Sequence, residues 1–262
     1  MALIELTVSS QVLGMNRDLY VILPENPRGL IGMEGREAKI CPTLYLLHGM
    51  SDDHTIWLRR TNIERYAAEK GIAVVMPAAD LSYYTDMVWG ERYFEHITRE
   101  LPALCRSIFP MLSPRREDTF VAGLSMGGYG ALKCVLRASD VFSCGAGLSS
   151  VADIAESVKN RPFASKQYWE DIFGPAEGIE GSFNDLFAAA EDHMKNALPS
   201  VRLYMWCGTE DSLYPQNVKL KEHLEKLHMD LMWEASPGNH SWACWDEKIR
   251  TVLNWLPVGK EA

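Results

Sequence analysis

The stretch Phe120-Val121-Ala122-Gly123-Leu124-Ser125-Met126-Gly127-Gly128-Tyr129-Gly130 decides the fold. It begins inside a short apolar run from Thr119 and ends inside a helical pattern over 126–138. Between the two lies G-x-S-x-G, as Gly123, Ser125 and Gly127. A serine at the apex of a tight strand-to-helix turn is held in a strained backbone conformation. Residues two before and two after approach so closely that side chains would clash, hence glycine at both. The turn exposes the hydroxyl, and the following helix aims its positive end at a developing oxyanion. A glycine-rich helix start or a phosphate-cradling loop could use the same residues. The strand before and the helix after favour a nucleophile.

Outward from this turn, similar apolar runs recur at 43–47, 72–76, 119–122 and 201–206, with weaker ones at 141–146 and 230–234. Such runs, bounded by turn residues, predict buried strands of a parallel sheet. Helical patterns lie between them, at 61–70, 92–108, 126–138, 183–196, 215–228 and 242–256. Strand–helix alternation predicts an α/β architecture, a mostly parallel central sheet with helices on both faces. Residues 3–12 and 17–23 alternate like two antiparallel strands joined through Gly14 and Asn16, and would add an edge. Residues 24–40 read as a surface loop. Residues 150–198 hold no good strand and include Pro162, Gly174, Pro175, Gly178 and Gly181, which predicts a small cap insertion over the C-terminal edge of the sheet. No linker, repeat or low-complexity tract divides the chain, so residues 1–262 are expected to form a single domain.

Composition excludes several classes. No run approaches the roughly 20 apolar residues of a membrane span. Lys and Arg number 26 against 35 Asp and Glu, a net charge of −9 that repels phosphate backbones and argues against nucleic-acid binding. The N-terminus lacks a basic stretch followed by an apolar core, so no signal peptide is expected. The six cysteines form no C-x-x-C pair, and no zinc or other metal site is expected. Buried free thiols in a reducing cytoplasm are the favoured reading.

Ser125 needs a base, and this strand order presents it after the acid. His223 and His228 lie on a Lys/Glu-rich helix and His193 sits beside Asp192, where surface roles suffice. His240, in Ser236-Pro237-Gly238-Asn239-His240-Ser241-Trp242, follows the last strand and is the candidate base. The acid should leave the strand before. Trp206-Cys207-Gly208-Thr209-Glu210-Asp211 supplies Asp211, with Glu210 second, and its carboxylate would fix the tautomer of His240. Helix capping is the competing role for Asp211.

The backbone N–H of Met126 is one expected oxyanion donor. The second should come from Leu46-Leu47-His48-Gly49-Met50-Ser51, with Met50 or Gly49 as donor and His48 as a loop brace. Trp57, Tyr84, Trp169 and Trp242 are candidate pocket aromatics, with Tyr83, Trp89 and Trp245 near the same edge.

The set L-L-H-G-M (46–50), G-L-S-M-G-G-Y-G-A (123–131), W-C-G-T-E-D (206–211) and G-N-H-S-W (238–242) resembles the esterase D-like branch of the α/β-hydrolases. It is most similar to the bacterial tributyrin and acetyl esterases of that branch. L-R-R-T-N-I-E-R (58–65), Y-Y-T-D (83–86) and E-L-P (100–102) extend the likeness over nearly the whole chain. The resemblance implies an α/β-hydrolase fold and a serine esterase for short acyl groups, without metal or cofactor. It implies a triad of Ser125, Asp211 and His240, and oxyanion donors at Met50 and Met126. The branch also includes S-formylglutathione hydrolases, feruloyl esterases and mycolyltransferases. The first usually carry S-G-L-T-C where this chain has His48-Gly49-Met50-Ser51-Asp52, and the last are exported.

The expected function is therefore a cytoplasmic carboxylesterase for acetyl to butyryl esters, including acetylated carbohydrates. A thioesterase of the S-formylglutathione type or a feruloyl-type esterase is the alternative within enzymes. A silent hydrolase-fold binding protein is the alternative outside them, and has no chemical reason to keep all three candidate residues. The expected partner is a small ester, with neither nucleic acid nor membrane, and with a homo-oligomer left open.

Overall fold

The computed structural model of the protein describes residues 1–25, 40–160 and 164–258. The loop expected over 24–40 lies outside the described residues except at its ends.

Eight strands form one sheet: β1 (Ala2–Ser10), β2 (Met15–Leu23), β3 (Thr43–Leu47), β4 (Ala73–Pro77), β5 (Thr119–Leu124), β6 (Cys144–Leu148), β7 (Arg202–Gly208) and β8 (Asp230–Ser236). Their order is β1-β2-β4-β3-β5-β6-β7-β8. The first two strands pair antiparallel and add to β4 antiparallel, while β4 through β8 run parallel. The helices are α1 (Ile56–Arg60), α2 (Ile63–Lys70), α3 (Tyr93–Glu95), α4 (Leu101–Ile108), α5 (Met126–Arg137), α6 (Ile154–Asn160), α7 (Lys166–Phe173), α8 (Leu186–Lys195), α9 (Tyr214–Lys226) and α10 (Trp242–Trp255).

The continuous apolar runs arise because the central strands are covered on both faces. In β3, Leu44 and Leu46 point one way, into a core with Ile63 and Ala67 of α2 and Ile249 and Val252 of α10. Tyr45 and Leu47 point the other way, toward Leu132 and Val135 of α5 and Ala189 of α8. Burying each such leucine contributes about 1.5–3 kcal/mol relative to leaving it in water. Helix α5 is buried from Met126 through Leu136, because it lies between the sheet and α8. By contrast β1 alternates part-buried with exposed residues, as an edge strand with one wet face does.

Three elements depart from the sequence reading. The helix expected over 92–108 contains a π turn at His96–Glu100 between α3 and α4. Pro102 just beyond it has no N–H to give, and the wider turn relieves the register. The Glu100 carboxylate accepts from the N–H groups of Gln11 and Val12 at 2.6 and 3.2 Å and from the Ser10 hydroxyl at 2.5 Å, tying down the β1–β2 hairpin. Strand β6 starts at Cys144 rather than 141, because Val141 and Phe142 turn back to the Ala138 carbonyl. Among the described residues of 150–198, Val151, Ser157 of α6 and Trp169 of α7 line a pocket at the C-terminal edge. Helix α8 instead lies flat along α5, where Ala189 and Ala190 allow close approach. Among the described residues, no helix is long and apolar enough to cross a membrane.

Candidate active site

The C-terminal edge concentrates backbone strain. Ser51, Asp80, Tyr83, Tyr84, Ser125 and Ser149 all have positive φ, and all lie in the loops after β3, β4, β5 and β6. Ser125 is the sharpest turn, with φ +53° and ψ −116° between β5 and α5. Its N–H bonds to Leu148 O at 2.9 Å, and its carbonyl accepts from Tyr129 and Val151, so neighbouring elements hold the strained residue from both sides. The flanking glycines are sterically required. A Cβ on Gly123 would strike the Gly127 backbone, and one on Gly127 would stand 2.5 Å from the carbonyl oxygens of Leu47 and His48.

The structure brings Ser125, His240 and Asp211 together. Ser125 Oγ lies 3.1 Å from His240 Nε2, and His240 Nδ1 lies 2.8 Å from Asp211 Oδ2. The other carboxylate oxygen of Asp211 accepts from Leu213 N–H at 2.9 Å, so one side chain serves both the local turn and the histidine. The cap position of α9 itself belongs to Leu213. Burial alone would raise the Asp211 pKa; hydrogen bonds from His240, Leu213 and the Ser149 hydroxyl, with the charge of His240, outweigh it and lower it. An ionised Asp211 only accepts, so the proton sits on His240 Nδ1 and Nε2 is free to accept from Ser125. Glu210 is exposed, and its N–H bonds to Gly238 O at 3.0 Å.

Two glycines bring the Asp211 and His240 loops into register. A Cβ on Gly208 would overlap the Gly238 backbone, and Thr209 N–H bonds Ser236 O at 2.9 Å beside it. Ser149 is a member that sequence reading missed. It is fully buried after β6, accepts from Trp245 Nε1 at 3.2 Å and reaches Asp211. Trp245 in turn sets its ring edge-on to His240, centroids 4.8 Å apart. No motif marks Ser149; its φ of +46° is visible only in the fold.

The loop after β3 supplies the facing wall. His48 is buried; its Nδ1 bonds Gly49 O at 2.8 Å and its Nε2 accepts from Ala79 N–H at 3.0 Å. This braces the loop that carries Met50. The N–H groups of Met50 and Met126 make no hydrogen bond with the described residues, which leaves both as donors without an internal acceptor.

Two hollows open on Ser125 and His240. The larger, about 460 Å³, is lined by Met50, Tyr83, Val151, Ser157, Trp169 and Leu213 among others. The smaller, about 210 Å³, is lined by Gly49, Met50, Asp52, Trp242 and Trp245. Of the four expected pocket aromatics, Trp169 therefore lines the larger and Trp242 the smaller. Trp57 and Tyr84 line neither. Both are buried beneath the loop, their polar atoms on Leu47 O at 3.0 Å and His48 O at 2.9 Å, because a backbone carbonyl there needs a donor more than the pocket needs a ring. Tyr83 lies in the wall instead, and Trp89 is largely exposed. Among the described residues, no cluster of three metal-ligating side chains occurs.

With this geometry in view, the family described as "Putative esterase" matches residues 10–256. An acetyl esterase of Caldicellulosiruptor saccharolyticus is 31% identical over 98% of both chains. The substrate-bound structure of FphF, a fluorophosphonate-binding serine hydrolase of Staphylococcus aureus, superposes with a TM-score of 0.88. It is 34% identical over 97% of this chain and 98% of its own. An S-formylglutathione hydrolase (FrmB) of the same organism superposes at 0.85, also at 34% identity over 97% of this chain and 98% of its own. Serine turn, parallel sheet and likeness over the full length agree: the chain has the α/β-hydrolase fold, belongs to this esterase family and is a carboxylic ester hydrolase.

Proposed function

We propose that Ser125, His240 and Asp211 act as a catalytic triad that hydrolyses short-chain acyl esters, acetyl to butyryl, including acetylated carbohydrates. The observation that carries this reading is the unbroken relay from Ser125 Oγ through both ring nitrogens of His240 to Asp211, opening on a solvent-reached pocket.

His240 Nε2 takes the Ser125 proton as Oγ attacks the ester carbonyl. Asp211 stabilises the imidazolium through Nδ1 and holds the tautomer. The oxyanion meets the N–H groups of Met50 and Met126, at the positive end of α5; each such donor contributes about 2.7–4 kcal/mol to the transition state. The imidazolium then gives its proton to the departing alcohol. A water, deprotonated by His240 in the same way, releases the acid from the acyl-serine. Serine, base, acid and amides supply the nucleophile and the oxyanion donors, so no metal or cofactor is needed.

The short-acyl preference draws on the acetyl esterase relative and on α6 and α7, which at seven and eight residues offer no long continuous apolar face. A feruloyl-type reading is favoured by one feature, the rings of Tyr83 and Trp169 in the wall of the larger pocket. The buried thiols of Cys105, Cys134, Cys144 and Cys207 suit a reducing compartment such as the cytoplasm.

A fluorophosphonate probe should label Ser125, and Ser125→Ala should lower kcat on p-nitrophenyl acetate by on the order of 10⁶. In a p-nitrophenyl series, acetyl to butyryl esters should exceed octanoyl in kcat/KM. Label on another residue sinks the triad, and a preference for octanoyl or feruloyl esters sinks the acyl assignment alone.

A further inference from the structure

Two aspartates follow Ser51, and one of them has a clear local task. Asp53 closes the turn into α1: its Oδ1 accepts from the Thr55 N–H at 2.8 Å and the Thr55 hydroxyl at 2.6 Å. Asp52 is half-buried with no ion pair within the described chain. Its carboxylate lies against Gly49, where an added Cβ would stand 3.2 Å from Oδ2. Its other side opens on the 210 Å³ pocket that Ser125, His240, Trp242 and Trp245 also line.

An ester held at Ser125 must extend both ways from the carbonyl, acyl group to one side and alcohol to the other. A short alkyl acyl group carries no hydrogen-bond donor. Beside Asp52 it would strip water from a carboxylate and return nothing. The larger pocket, walled by Met50, Tyr83, Val151, Trp169 and Leu213, suits it better. That leaves the smaller pocket to the alcohol. Its acceptor-only carboxylate suits hydroxyl groups, and the half-buried Trp242 lines the same pocket with an indole that suits the C–H side of a polyol.

We infer that Asp52 determines specificity for the alcohol part of the ester, accepting hydrogen bonds from a polyhydroxy alcohol such as glycerol or a sugar and repelling alcohols that carry negative charge. The inference rests on Ser125 being the nucleophile. Burial, then repulsion from Asp53, raises the Asp52 pKa to about 6, while Arg60 and the Gly49 N–H pull it down. The repulsion is therefore present in full above that pH and fades as the carboxyl protonates. His240 also faces the pocket, but its protonation affects every ester alike and cancels in a ratio of substrates.

The test compares kcat/KM for glyceryl monoacetate and acetoxyacetate between pH 5 and 8, in wild type, D52N and D53N. Wild type should favour the neutral ester by about tenfold at pH 8, and the ratio should narrow as the pH falls through about 6. D52N keeps an acceptor for the Gly49 amide but loses the charge, so its ratio should be smaller and flat with pH. D53N removes the same charge one residue away; it should keep the wild-type ratio at pH 8 and still narrow with falling pH, but at a lower pH, because the repulsion that raises the Asp52 pKa is gone. A flat wild-type ratio overturns the assignment even without the variants, as does a D52N profile equal to wild type. Acetate-ester turnover that survives Ser125→Ala overturns the functional reading instead.

Discussion

Two loops face each other across Ser125, and each presents a histidine. After β3, His48 is 1% exposed, and both ring nitrogens are taken up by backbone groups of Gly49 and Ala79. After β8, the His240 side chain is 35% exposed, and both ring nitrogens meet side chains that can gain or lose a proton. The residue type is the same in both loops. What separates the His48 brace from the proposed base at His240 is the partner on each nitrogen, because a backbone amide cannot take part in proton transfer at neutral pH while a hydroxyl and a carboxylate can.

The sharpest way to break this contrast is to remove each ring. His240→Ala should cost on the order of 10⁶ in kcat with little loss of stability. His48→Ala should reduce kcat far less but lower stability by about 1–3 kcal/mol, since Ala79 N–H is left buried without an acceptor. Equal kcat losses in steady-state assays of the two variants would erase the distinction. A second test sharpens the His240 side. Asp211→Asn should lower kcat about 10⁴-fold by presenting the wrong tautomer, whereas Glu210→Gln should stay within a few-fold, its carboxylate being exposed. The reverse ranking would shift the acid by one residue.

The smallest effect sharpens the His48 side. Burial lowers the His48 pKa, opposed by its bond to Gly49, so the folded protein binds a proton there less readily than the unfolded chain. Its contribution to stability is therefore complete above about pH 6.5 and declines as the pH falls toward the lower folded value. Urea unfolding of wild type should show this decline, and His48→Gln should lack that part of it. Parallel pH profiles for the two proteins would mean that His48 is not held neutral by the fold.

The sequence made the serine turn legible because sterics leave so little choice there: glycine at 123 and 127 is demanded by backbone contacts within and beside the turn. The strands were legible for a related reason, burial on both faces. Asp211 and Glu210 were harder to separate, since adjacent carboxylates share every local signal and only the closeness of the β7 and β8 loops decides which turns inward. Trp57 and Tyr84 read as pocket aromatics because an indole or phenol near a sheet edge looks the same whether its polar atom meets water or a carbonyl below. Ser149 carried no signal at all. A serine at the end of an apolar run is ordinary, and its place beside Asp211 depends on the pairing of strands whose partner residues, such as Leu148 and Trp206, lie 58 apart in sequence.

The contact between Gly208 and Gly238 has a bearing on how such an enzyme can diversify. With no room for a single carbon between them, the loops that carry Asp211 and His240, the proposed acid and base, behave as one joint, and lengthening either would dislocate the other. Ordinary surface loops accept insertions at little cost. Here that freedom is withheld from the two loops nearest the chemistry and left to the segment after β6, where α6 and α7 flank the pocket. New substrates would then be acquired by remodelling that wall while the relay beneath it stays fixed, so that the shape of the pocket and the chemistry it serves are inherited separately.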